Sequence, residues 1–241
     1  MKCDLCPRKC LVDRKKGEKG ICGQTENLKV ARAALHFWEE PCISGDAGSG
    51  AVFFSGCPLH CVFCQNENIA NGTVGKEISL ERLVDIFLEL QEKRANNINL
   101  VTPGHFVPQI VKALDQARKE GLTLPVVYNT SSYETVDTIK MLEGYVDIYL
   151  PDFKYMSPVL SKKYSHAPDY AEVAKAAIAE MVRQTGKAVF VNGDEDNLIL
   201  SGTIVRHLTL PGCMADSMQI LKYLHDTYGD MIYISIMNQF T

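Results

Sequence analysis

From residue 51 onward the chain alternates short apolar runs with stretches of helical period. Ala51-Val52-Phe53-Phe54 is an apolar run too short for a helix and is read as a buried strand. Ser79 then precedes Leu80, Leu83, Val84, Phe87 and Leu90, spaced to lie on one helix face behind an N-cap. The same unit repeats. Apolar runs at 98–101, 125–130, 146–150, 204–210 and 231–237 predict five further strands. Helices are expected around Ile110, Leu114 and Ala117 up to Gly121, and then over 134–142, 169–183 and 217–228. Near-continuous apolar strands separated by helices imply a parallel sheet covered by helices. One segment breaks the rhythm. Residues 188–191 and 198–200 flank Gly193-Asp194-Glu195-Asp196-Asn197 and read as an inserted hairpin with a solvated acidic tip.

Before residue 51 the pattern is different. Residues 36–45 place His36, Glu39 and Glu40 beside the chain's one tryptophan, Trp38, and Pro41. Two readings stand: a strap with Trp38 packed beneath it, or a segment whose Glu39, Glu40 or His36 reaches a ligand. Cys42 in this stretch reads as a small buried residue. The glycines at 45, 48 and 50 mark a tight turn into the first strand. Residues 1–50 are therefore taken as a cysteine-rich segment and strap, and 51–241 as one catalytic-sized domain.

Composition narrows the partners. With 29 acidic against 25 basic side chains, net −4, no global field would draw nucleic acid or an anionic membrane. No apolar run is long enough to span a bilayer, and no signal peptide follows Met1. Nine cysteines in such a chain point to metal ligation in a reducing compartment, and the cytoplasm is the expected location.

The chemistry is concentrated in two cysteine clusters. Cys57, Cys61 and Cys64 are spaced C-x3-C-x2-C on the loop after the first buried strand, with Phe63 inside the motif. Three thiolates on one loop can hold an iron-sulfur cube and leave its fourth iron open to a small molecule. A zinc knuckle is the competing reading, weakened because no fourth Cys or His follows at a suitable spacing. Cys3, Cys6, Cys10 and Cys22 form a second set in a segment too short and polar to hold itself by apolar burial. Zinc or a single iron would serve there as a staple, and an iron-sulfur cluster as an electron relay. The strand ends add a polar ring: Thr102 and His105, then Asn129, Thr130 and Ser131, then Asp152 and Lys154, then Arg206 and His207, and finally Asn238 and Gln239. Such groups at the carboxyl ends of parallel strands suit a zwitterionic, nucleoside-bearing ligand.

The motif C-x3-C-x-aromatic-C at Cys57, Cys61, Phe63 and Cys64 resembles the signature of the radical S-adenosylmethionine (SAM) superfamily. Within it the chain resembles the activating enzymes of pyruvate formate-lyase, and homologues of these with an N-terminal four-cysteine segment. That likeness is carried by Cys3 to Cys22, by residues 36–45, 128–131, 147–154 and 205–212, and by Met237 to Gln239. The resemblance implies a partial (β/α)6 TIM-like barrel, a [4Fe-4S] cluster on Cys57, Cys61 and Cys64, and SAM held by Phe63, Thr102, Gly104, Asn129, Ser131, Asp152, Lys154, Arg206 and Asn238. It assigns Lys154 and Arg206 to the cofactor; an ion pair within the barrel mouth is the plain reading of both. It further implies a flavodoxin- or ferredoxin-type electron donor and a glycyl-radical protein as substrate. Another peptide, nucleic acid or metabolite as substrate is the rival within the superfamily, and a zinc-stapled binding protein the rival outside it. Three departures accompany the likeness. Thr102-Pro103-Gly104-His105 replaces the superfamily's Gly-Gly-Glu, the extra cysteines precede the cluster motif rather than follow it, and the sequence ends at Thr241, directly after the sixth strand. An open barrel or a shortened chain without its last helix is therefore expected. His207 reads as a core or supporting histidine, His60 as a loop residue, and His105 as either structural or functional.

Overall fold

The computed structural model describes residues 2–194 and 197–238. In chain order the strands are β1 (Lys29–His36), β2 (Ser49–Phe54), β3 (Lys76–Glu77), β4 (Ile98–Val101), β5 (Val126–Thr130), β6 (Ile148–Pro151), β7 (Val189–Phe190), β8 (Ile199–Leu208) and β9 (Tyr233–Met237). The helices are α1 (Pro41–Ser44), α2 (Glu67–Ala70), α3 (Leu80–Glu92), α4 (Val107–Lys119), α5 (Val136–Lys140), α6 (Pro158–Ser165), α7 (Tyr170–Thr185) and α8 (Met214–Tyr228). Strands β2, β4, β5, β6, β8 and β9 pair in that order, all parallel. They form the expected six-stranded α/β sheet, curved as an open, partial barrel.

Alternation along the strands decides what lies where, because successive side chains point to opposite faces. On the helix-covered face, Val52, Phe54, Leu100, Val126 and Tyr128 pack with Leu83, Phe87, Ile110 and Leu114 of α3 and α4. On the inner face, Val127, Ile148, Leu150 and Ile204 form an apolar floor with Ile43 of α1 and Phe190 and Ile199 of the hairpin. Ser79 caps α3 through its hydroxyl, which accepts from the Arg82 N–H at 3.1 Å, as its position before the apolar stripe predicts.

Several features differ from the expectations. Lys29–His36 forms β1, antiparallel to β2 and flanked by β3, so the sheet reaches by one strand, β1, into the stretch taken as segment and strap. Trp38 is 87% exposed at the cavity rim rather than packed beneath a strap. Cys42 is only partly buried. The inserted hairpin is present, but its second arm is continuous with the fifth parallel strand as one ten-residue β8. Helix α6 has no counterpart in the sequence reading, and α5 is shorter than the 134–142 expected for it. Glu195 and Asp196 of the acidic tip, and Gln239 of the polar ring, lie outside the described residues.

His105, in the turn after β4, is structural. It is buried, and its Nε2 donates to the Ser55 carbonyl at 2.7 Å. Burial, aided by Arg14, lowers its pKa to about 4 despite that bond. His207 is likewise buried, with Nδ1 at 2.7 Å from the Phe153 carbonyl oxygen and Nε2 at 2.9 Å from Ser217 Oγ.

Two outcomes follow for stability. A side chain on Gly50 would meet the Asn97 carbonyl at 2.6 Å, backbone of an adjoining loop that cannot rotate away. Gly50→Ala should lower stability by roughly 1–3 kcal/mol in denaturant melts, and an unchanged midpoint would show that β2 can shift. His105 stays neutral in the fold while it protonates in the unfolded chain below about pH 6.5. Its contribution is therefore complete above that pH and falls as acid is added, by about 2 kcal/mol between pH 7 and pH 5. His105→Gln should flatten that part of the stability profile; an unchanged slope would assign it to other groups.

Candidate functional site

The inner faces of the strands rise from the apolar floor to a cavity of about 530 Å³ at their carboxyl ends. The same alternation that places Val127, Leu150 and Ile204 below places Asn129, Asp152 and Arg206 one step above, in the cavity wall. Phe53 and Val101 line it from β2 and β4, and Ser235 and Met237 from β9. The loop after β2 closes one side with Cys57, Cys61 and Cys64, and residues 38–41 form part of the rim.

The polar wall is one connected network. Asp152 accepts from Arg206 Nε at 2.9 Å on Oδ1 and from Lys154 Nζ at 2.7 Å on Oδ2. Arg206 Nη2 donates to Asn129 Oδ1 at 2.7 Å, and Nη1 lies 3.4 Å from Glu39 Oε2, which also accepts from Asn129 Nδ2 at 3.1 Å. Burial pushes the Asp152 carboxyl up, but Arg206 and Lys154 outweigh it and hold the group below the ordinary carboxylate range. For Lys154 burial acts in the opposite sense, and Asp152 with Cys61 outweighs it to keep the ammonium charged. Glu39 is raised by burial, against the pull of Arg206. Glu40 Oε2 is buried on the cavity wall without a hydrogen-bond partner.

The thiol loop is built from local hydrogen bonds. Its backbone is fixed to α6, with the Val62 N–H donating to the Tyr164 carbonyl at 2.9 Å. Ser165 Oγ donates to Cys61 Sγ at 2.9 Å and lies 2.8 Å from the Tyr155 hydroxyl. Phe63 packs edge-on against Tyr155 and Tyr164, with ring centroids 6.4 and 6.3 Å away. Burial, with Cys61 and Cys64 nearby, pushes the Cys57 thiol up to about 12, so its thiolate form needs a metal's charge. Among the described residues, no three His, Cys, Asp or Glu groups are closed to the spacing of a single ion. Thiolates on a cube bind separate irons, and three thiols lining one cavity are a donor set of that kind.

Of the residues expected to hold SAM, Phe63, Thr102, Asn129, Ser131, Asp152, Lys154 and Arg206 line this cavity with the three thiols. The mixture of fixed cations, an ionised carboxylate and the orphaned Glu40 oxygen fits a zwitterion carrying an amino group. Thr102 adopts a left-handed backbone, φ 54°, a conformation that β-branched residues reach only when their surroundings impose it. Gly104 lies elsewhere: a side chain there would run into Glu134, 2.8 Å from its Oε1, so its smallness serves packing behind the wall. Asn238 is exposed beyond β9 and does not line the cavity. Lys154 and Arg206 also form the ion pairs of the plainer reading. Glu39 is the wall residue the sequence left open between strap and ligand; the adjacent acids beside Trp38 were its only signal.

The N-terminal cysteines gather on the outer side of this loop, where Cys6 neighbours Cys22, Cys10 and Cys3. No helix among the described residues is long and apolar enough to cross a membrane.

Comparison with known proteins bears on the family. The uncharacterized protein MJ0674 of Methanocaldococcus jannaschii is 28% identical over 215 residues, which cover 87% of this chain and 57% of that protein. The chain thus spans little more than half the length of this curated relative. Among solved structures, methylornithine synthase (PylB) and HydG, a maturase of the [FeFe]-hydrogenase, each superpose with a TM-score of 0.51 at 14% identity. Each match covers 76% of this chain, and 50% of PylB or 41% of HydG, a likeness of fold alone. The sequence model of the radical SAM superfamily matches residues 51–197, from β2 through the thiol loop to the hairpin. With more than half its length in that match, the chain belongs to the radical SAM superfamily.

Proposed function

We propose that the protein is a radical SAM enzyme in which Cys57, Cys61 and Cys64 hold a [4Fe-4S] cluster, while Lys154, Arg206, Asp152 and Asn129 orient SAM beside it. The observation that carries this reading is a single cavity shared by the three thiols and a buried network complementary to a zwitterion. When bound, cluster and SAM together supply one-electron cleavage of a sulfur–carbon bond and a carbon radical able to remove a substrate hydrogen.

The chain's own part is orientation and exclusion of water. Arg206 is held on two sides, by Asp152 and Asn129, so its guanidinium presents a fixed plane to a carboxylate or ribose oxygen. Asp152 keeps both cations charged in a buried setting and holds each by one of its oxygens. Leu59, Phe63 and Tyr155 pack together around the loop and limit solvent on that side.

For the substrate, the reading is a glycyl-radical protein, with a flavodoxin- or ferredoxin-type donor supplying the electron. Its support is the rim: Trp38 and Ile236 stand there 87% and 59% exposed, apolar contacts suited to an incoming chain segment. Incubation with a glycyl-radical protein should then give the electron paramagnetic resonance signal of a backbone glycine radical. Its absence, with SAM still cleaved, would favour another peptide, nucleic acid or metabolite.

Anaerobic reconstitution with iron and sulfide, then dithionite and SAM, should yield 5′-deoxyadenosine from the parent and none from Cys57→Ala. A colourless parent without SAM affinity would instead support the zinc-stapled binding protein. Arg206→Lys should weaken SAM binding roughly tenfold or more by calorimetry, since one point charge cannot replace the planar fork, while iron and sulfide content stay unchanged. Loss of iron along with affinity would make Arg206 a residue of the fold instead.

A further inference from the structure

Residues 2–27 contain no strand or α-helix, only a short 3-10 turn at Arg14–Lys16, and they expose Leu11 and Ile21. Apolar burial cannot be what holds them. The segment folds back on itself, with the Cys3 N–H donating to the Val12 carbonyl at 2.9 Å and the Leu11 N–H to the Cys3 carbonyl at 3.0 Å. At the gathered thiols a backbone N–H is aimed at sulfur, with Ile21 N–H donating to Cys10 Sγ at 3.3 Å. A neutral thiol is a weak acceptor, whereas thiolates reward such donors, and several thiolates in one place require a cation.

We propose that Cys3, Cys6, Cys10 and Cys22 ligate a second metal centre, of the zinc or iron-sulfur class, and that this centre fixes the loop carrying Cys57 and Cys61. A single ion would have to draw the four sulfurs inward, whereas a cluster spans them; the ligand chemistry, four thiolates, is common to both.

The second half rests on three contacts, each made by a ligand or by a residue within two positions of one. Arg8, between Cys6 and Cys10, donates from Nε to the Pro58 carbonyl at 2.9 Å and from Nη2 to the Ser165 carbonyl at 3.0 Å. It thereby ties the loop to the residue whose hydroxyl bonds Cys61. The Ile21 carbonyl accepts from His60 Nε2 at 2.8 Å, holding His60 in its left-handed conformation, φ 48°. The Cys22 carbonyl occupies the place that a side chain on Gly56 would need. Arg8 is therefore a positioning residue. The metal assignment is independent of the SAM reading, which enters only in giving the loop its purpose.

The test uses the full chain with Cys57, Cys61 and Cys64 all changed to Ala, so that the first site cannot load. Purified anaerobically and reconstituted with iron and sulfide, it should retain one zinc, or iron with matching sulfide, per chain; either identifies the class and upholds the site. Further Cys6→Ser and Cys22→Ser changes should remove that metal. A folded Ala variant without bound metal, or metal that survives the Ser changes, overturns the assignment. For the positioning role, Arg8→Lys keeps every thiol. Amide hydrogen exchange across residues 56–62 should accelerate by roughly tenfold or more while metal at the N-terminal site is unchanged. Unaltered exchange there overturns it. Retained metal in the Ala variant together with no 5′-deoxyadenosine from the parent would sink the SAM reading and leave this site standing.

Discussion

Asp152 meets two cations at the level where the barrel's apolar floor gives way to its cavity. Arg206 and Lys154 each take one of its oxygens, and side chains of all three are largely withdrawn from water. None of these charges would be tolerable alone, because an unpaired ion in that setting costs several kcal/mol. The carboxylate also sits where β5, β6 and β8 come together, since the Asp152 N–H donates to the Thr130 carbonyl and the Phe153 N–H to the Arg206 carbonyl. Strand spacing and charge pairing thus impose the same geometry. From this point the network reaches Asn129 and Glu39, which brings residues 37–40 over the rim although 167 positions separate Glu39 from Arg206.

The parallel sheet was legible because six apolar runs, each followed by polar groups, admit few other arrangements. The strand ends announced a ligand site for the same reason: Asn129, Asp152 and Arg206 would be poor residues for a dry core. The outer strands were not legible. Lys29–His36 lies at the sheet's margin with Arg32 and Ala33 exposed, so burial leaves no alternation for the eye to find. Trp38 misled because size and apolarity usually imply burial, whereas here the rim presents the ring to solvent. Gly104 shows a different limit. A glycine in a turn after a strand suggests close approach to a ligand, but the approaching group is Glu134, and only the fold reveals which neighbour claims the space. The partnership of Glu39 with Arg206 is equally a product of topology and has no local signature.

The thiol loop illustrates how a short irregular segment is made definite. Residues 56–62 contain no regular element, yet they are held from α6 on one side and from the N-terminal segment on the other. Positive backbone angles at Gly56 and His60 are tolerated because both flanks over-determine the path. Order in the loop is therefore borrowed from elements distant in sequence, and the spacing of the cysteines alone could not have shown it.

The alternation that runs up each inner strand has a last consequence. Floor and cavity are written in one reading frame, separated on β5 and β6 by a single two-residue step, Val127 to Asn129 and Leu150 to Asp152. Exchange of the upper residue alone leaves the packed layer beneath it intact, so a barrel of this kind can change its ligand without renegotiating its fold. A displacement of one position along the strand would do the opposite and exchange interior for exterior throughout. The architecture is permissive toward substitution at its summit and intolerant of insertion below it, an asymmetry that confines functional divergence to the final inward-facing turn of each strand.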